Sequence, residues 1–104
     1  MSKRKDETLR DFVREQLKDS QFREAYQEAT LALGLAKKIT TLRKRLRMTQ
    51  SELARRMGTK QQAISRLEKG DYEGFTLKTL ERIAAVTNTE LEIQFRSKKL
   101  KKAS

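Results

Sequence analysis

Apolar residues recur at three- and four-residue spacing along most of this chain and switch to strict alternation once, near the end. Leu9, Phe12, Val13 and Leu17 predict a first helix, with Thr8 and Asp11 as its start signal, and Asp19-Ser20 interrupts it. Phe22, Tyr26, Ala29, Leu33 and Ala36 follow at 4-3-4-3 spacing. Such a stripe packs on the chain's own body or is kept for a partner helix or groove. Leu35, Ile39, Leu42 and Leu46 form another helical stripe turned inward, with Lys37, Lys38, Lys44, Arg45 and Arg47 on other faces. Gly34 stands between the two stripes as a kink or a boundary.

Short capped segments come next. Thr49 with Glu52 three positions on is a capping box, Leu53, Ala54 and Met57 are its apolar side, and Gly58 is a stop. Thr59 with Gln62 reads as a second capping box, with Ile64 and Leu67 inward and Gly70 as the stop. Thr76 opens a last helix carrying Leu77, Leu80, Ile83, Ala84 and Val86. The period then drops to two: Leu91, Ile93 and Phe95 alternate with Glu92, Gln94 and Arg96, the pattern of a half-buried strand. One strand alone leaves its backbone groups unpaired, so it is expected to pair with the same strand of a second copy across a two-fold axis. SKKLKKAS, at the end, reads as a basic disordered tail.

Composition narrows the function. The chain has 104 residues, 36% hydrophobic and 38% charged, which supports one thin core and no large enclosed cavity. Cysteine and histidine are absent, which removes disulfides, Cys or His zinc sites, thiol nucleophiles and imidazole chemistry. The remaining carboxylates are scattered, so no enzymatic reaction, metal or cofactor is expected. No apolar run suits a membrane span or signal peptide, and the cytoplasm is the expected location. Absence of proline and only four glycines fit an all-α chain. Lys and Arg number 25 against 14 Asp and Glu, a net charge of +11. Residues 1–30 balance to zero, so the whole excess lies in residues 31–104, a body drawn to a polyanion such as nucleic acid.

Thr49 to Gly70 has the spacing of a helix-turn-helix: two capped helices joined by a glycine turn, with small Ala54 where they approach. Gln61, Gln62, Ser65 and Arg66 are left outside at the leading end of the second helix. Glutamine matches the donor and acceptor of an adenine edge, and the arginine fork matches guanine. Thr49-Gln50, Glu52-Leu53-Ala54, Gly58, Gln61-Gln62, Ile64, Leu67-Glu68 and Gly70 together resemble the Cro/C1-type (XRE) helix-turn-helix family, over about residues 38–88. The resemblance implies a lambda-repressor-like fold whose second helix enters the major groove. It implies base contacts from Lys60, Gln61, Gln62, Ser65 and Arg66, and phosphate contacts from Gln50, Thr59 and Lys69. It also implies that Arg43 and Glu68 form a partly buried ion pair with a scaffolding role.

The layout around this segment resembles antitoxins of the HigA kind, and secondarily of the HipB kind, in type II toxin–antitoxin modules. That resemblance implies autorepression of an operon through an inverted-repeat operator and neutralisation of a small basic toxin, a messenger RNA nuclease with a RelE-like fold. The partner-binding anchors would be Phe12, Leu17, Phe22 and Tyr26, and the dimer interface Leu91, Ile93 and Phe95. A stand-alone repressor is the alternative. The expected architecture is all-α with five helices: an N-terminal helical extension at 1–34, a DNA-binding domain at 35–88, a dimerisation strand at 89–96 and a basic tail at 97–104.

Overall fold

The computed structural model describes residues 2–98, with side chains from residue 8 onward; the basic tail expected at 97–104 lies outside the described residues from 99. Among the described residues five α-helices and one short 3₁₀ turn follow in order: α1 Ser2–Gln16, α2 Ser20–Arg45, α3 Gln50–Met57, α4 Gln61–Glu68, the turn Tyr72–Gly74, and α5 Leu77–Val86. The break falls at Asp19-Ser20, as the pattern predicts. Asp19 caps α2, its Oδ1 accepting from the amides of Gln21 (2.8 Å) and Phe22 (3.1 Å).

Three boundaries differ from the sequence reading. Thr8 does not start a helix, because α1 is already under way from Ser2, and no glycine or proline in that stretch stops it. Gly34 is not a helix boundary: α2 runs through it for 26 residues, since leucine and alanine on both sides are strong helix formers. Thr59 does not open α4. Its amide donates back to Ala54 O (2.9 Å) across left-handed Gly58 (φ 74°), so it completes the end of α3, and Lys60 caps α4 without a side-chain bond. The Thr49/Glu52 capping box forms in full, and Thr76 caps α5 by accepting from the Thr79 amide (3.1 Å).

The core gathers Ile39 from α2, Leu53, Ala54 and Met57 from α3, Ile64 and Leu67 from α4 and Ile83 from α5, with Phe75, Leu80 and Val86 around it. Leu53 and Ile64 are sealed completely. Met48, which no period marks, is also buried. Leu46, expected to face inward, is exposed. The helix has ended at Arg45 and the chain reverses through Arg47 (φ 57°), so Leu46 is turned out and Met48 is turned in.

The strand expected at 89–96 is corrected. Among the described residues there is no strand, because no neighbouring backbone offers Leu91 to Phe95 a ladder; Leu91 edges a groove while Ile93 and Phe95 stand exposed. At the other end, burial within α2 begins only at Ala32. Leu9, Phe12, Tyr26, Leu31 and Leu33 are exposed, while Leu17 and Phe22 are half-buried. The Phe22 and Tyr26 rings pack on each other, 6.1 Å between centroids. The Cα radius of gyration, 17.5 Å, exceeds the roughly 13 Å of a compact domain of this size, as expected when α1 extends beyond the helices that build the core. No helix among the described residues is long and apolar enough to cross a membrane.

Candidate nucleic-acid interface

Helix α4 is fixed from behind and free in front. Ile64 and Leu67 lock it into the core, and half-buried Ala63 lies on the same inner side. At 100° per residue, Gln61, Gln62, Ser65, Arg66 and Lys69 then fall within an outward arc of about 140°. Gln61, Gln62, Arg66 and Lys69 are exposed and Ser65 is half-buried. Lys60, just before the helix, is exposed, and Thr59 is half-buried against the α3 turn. The residues singled out from sequence around α4 are thus brought to one face or its margin.

Behind this face runs a polar chain that starts in the core. Arg43 grips Glu68 through both ends of its fork, Nε to Oε2 at 2.7 Å and Nη2 to Oε1 at 3.0 Å, and its Nη1 donates to Met48 O at 2.8 Å. The two side chains are only 12% and 6% exposed, so this is the buried pair, joining α2 to α4, that the family resemblance implies. Burial alone pushes the Glu68 carboxyl up, but hydrogen bonds from Arg43, Gln50 and Thr40, together with the Arg43 charge, outweigh it and hold the carboxyl below its ordinary value. The Arg43 guanidinium is raised, chiefly by its hydrogen bond to Glu68.

The chain continues outward. Gln50 Nε2 donates to Glu68 Oε1 (3.0 Å), and Gln61 Nε2 donates to Gln50 Oε1 (2.7 Å). Two links therefore connect the ion pair to the outer face, and they fix which end of each amide points where. Gln61 gives one amide proton to Gln50 and keeps its carbonyl oxygen and other proton for a neighbour in front. Half-buried Gln50 is thus a positioning residue as well as a candidate phosphate contact. Sequence spacing did not show either link, because they join side chains eleven and eighteen positions apart. A cleft between α4 and α5 adds Thr76, Thr79 and Arg82 beside Thr59, Ala63 and Arg66. Only their place in the fold reveals this flank of hydroxyl and guanidinium donors.

Among the described residues no group of three His, Cys, Asp or Glu side chains is placed to hold a metal ion. The profile described as helix-turn-helix matches residues 39–94, just over half of the chain. An uncharacterised HTH-type transcriptional regulator of Archaeoglobus fulgidus is 42% identical over 55 residues, which cover 53% of this chain and 76% of that relative. No solved structure matches this chain.

Proposed function

This chain belongs to the helix-turn-helix family of Cro/C1 type, a non-enzymatic family of DNA-binding transcriptional regulators, and from that premise we propose that it is a repressor that binds an inverted-repeat operator as a homodimer. Helix α4 enters the major groove. Gln61, Gln62, Arg66, Lys60 and Ser65 meet base edges, while Gln50, Thr59 and Lys69 hold phosphates. The observation that carries this reading is the contrast within α4: a polar outer face on a helix whose inner residues, Ile64 and Leu67, are fixed in the core. Rigid support of this kind is what base reading needs. The excess of positive charge in residues 31–104 supplies the sequence-independent attraction.

Selection of bound sites from a pool of random duplexes tests it. The expected winner is an inverted repeat with half-site centres about 34 Å, one helical turn, apart. Enrichment of no sequence over the starting pool would overturn the reading.

One observation favours a further role as the antitoxin of a module with a small basic toxin. The segment α1 and the first part of α2 contribute no described side chain to the core and leave Leu9, Phe12, Tyr26 and Leu31 exposed, and an amphipathic helix without a packing partner is marginal in water. Phe12, Leu17, Phe22 and Tyr26 are the anchors of that reading. Affinity purification after nuclease treatment is expected to bring down one small protein in stoichiometric amount, and to lose it when Phe22 and Tyr26 are both changed to Ala. Elution of the homodimer alone would leave the repressor without a toxin.

A further inference from the structure

The segment after α5 is exposed, and its alternation limits how a second copy would meet it. Gln94 Nε2 lies 3.4 Å from Glu92 Oε2, so side chains two apart share a side, as in an extended chain. Leu91, Ile93 and Phe95 therefore share the other side. Leu91 borders an apolar groove of about 270 Å³ formed with Leu35, Ile39 and Leu42 of α2 and Leu80 and Ile83 of α5. Ile93 is 59% and Phe95 100% exposed. Residues 90–96 donate no backbone hydrogen bond to another described residue. An apolar, unpaired edge beside an open groove needs an occupant.

We propose that the occupant is the same segment of a second copy, paired antiparallel with the two-fold axis at Ile93. This rests on the homodimer reading and adds its register. Directly opposite residues in an antiparallel pair share a face, so any register setting an odd position against an even one opposes the apolar face to the polar one. An axis at Glu92 sets that carboxylate against its own copy. An axis at Gln94 leaves Leu91 opposite Ser97. An axis at Ile93 sets Leu91 opposite Phe95 twice, Ile93 opposite Ile93, Glu92 opposite Gln94 twice, and Glu90 opposite Arg96 twice. Every apolar side chain meets an apolar one, Glu92 meets a neutral amide that can donate to it, and the Glu90–Arg96 pairs join opposite charges. The phenylalanine of each copy then lies beside Leu91 of the other, at the mouth of the groove between α2 and α5.

The chain has no cysteine, so single introduced thiols report the axis without background. Opposed residues on the axis have Cα atoms about 4.5–5.5 Å apart, within disulfide reach. A residue one position off the axis is about 8 Å from its own copy, beyond it. Oxidation of Ile93→Cys is expected to give the disulfide dimer at least about tenfold faster than Glu92→Cys or Gln94→Cys. The double variant Glu90→Cys/Arg96→Cys, which leaves the apolar side intact, is expected to crosslink between copies; within one extended chain those positions are about 20 Å apart. Sedimentation of the unaltered protein runs alongside. A monomer at micromolar concentration would overturn the homodimer reading itself. A dimer that crosslinks fastest at Glu92→Cys or Gln94→Cys, or at none of these positions, would overturn the register alone.

Discussion

Glu68 is the residue on which scaffold and surface meet. It accepts from Arg43 on one side and Gln50 on the other, and Gln50 in turn accepts from Gln61. A carboxyl held below its ordinary value in the fold stabilises it fully above the unfolded value, near 4.3, and that contribution is lost as pH falls through the lower folded value. Urea melts between about pH 6 and 2 are therefore expected to show stability declining in the acid range, with a shallower decline in Glu68→Gln. Removing one partner of a buried pair also costs about 3–5 kcal/mol, so the variant is expected to start lower at neutral pH. Across the face of α4 the expected losses separate by chemistry. Gln62→Ala costs about 1–3 kcal/mol on the operator and nothing on random DNA, whereas Lys69→Ala weakens both alike and lowers the salt slope by about one. Anisotropy titrations on both duplexes at several salt concentrations make that comparison; equal losses on the two duplexes for Gln62→Ala would remove the base-reading role.

At the scale of elements, two glycines show how differently one residue type behaves. Gly58 closes α3 at φ 74°, a conformation strained for any side chain, although a Cβ there would meet nothing within 4 Å. Gly34 also has open space around it but sits inside α2 with ordinary helical geometry. Gly58→Ala is thus expected to destabilise by about 1 kcal/mol and Gly34→Ala to stabilise by about 0.5–1 kcal/mol, read as opposite shifts in thermal midpoint. The pair also marks what the sequence could and could not show. Caps and glycine stops are local, so α3, α5 and the Asp19 break were legible from spacing alone. Whether Gly34 ends a helix depends on what packs around it, and whether Thr59 caps forward or closes backward depends on the turn geometry of Gly58. Met48 is buried because of a chain reversal that no periodicity encodes. The glutamine face was legible because amphipathicity divides α4 cleanly, but the Gln50 links and the Thr76, Thr79 and Arg82 flank needed helices brought together from distant parts of the chain.

For the whole molecule, the decisive question is where the DNA-binding body begins. Burial in α2 starts at Ala32, and the side chain of Leu33 lies over Gly70, 3.0 Å from where a Cβ at that glycine would sit. The body therefore includes the turn of α2 that carries Ala32 and Leu33, ahead of the boundary expected at residue 35. Leu9 and Phe12, by contrast, are 61% and 58% exposed, and among the described side chains of α1 none enters the core. Deleting residues 1–19 is expected to leave the cooperative melt and operator affinity within about twofold of the full chain, because no core contact is lost. Deleting residues 1–34 removes Ala32 and Leu33 and is expected to lower stability by about 2 kcal/mol or more, through loss of the sealed Ala32, uncovering of Gly70 and loss of helix preceding Ile39. Denaturation and anisotropy on both truncations test the division. If the shorter deletion weakened operator binding as much as the longer one, α1 would have to act in DNA recognition or in the dimer. If it left both intact, α1 would have no role in folding or operator recognition, which leaves the exposed Leu9 and Phe12 free for the partner proposed above.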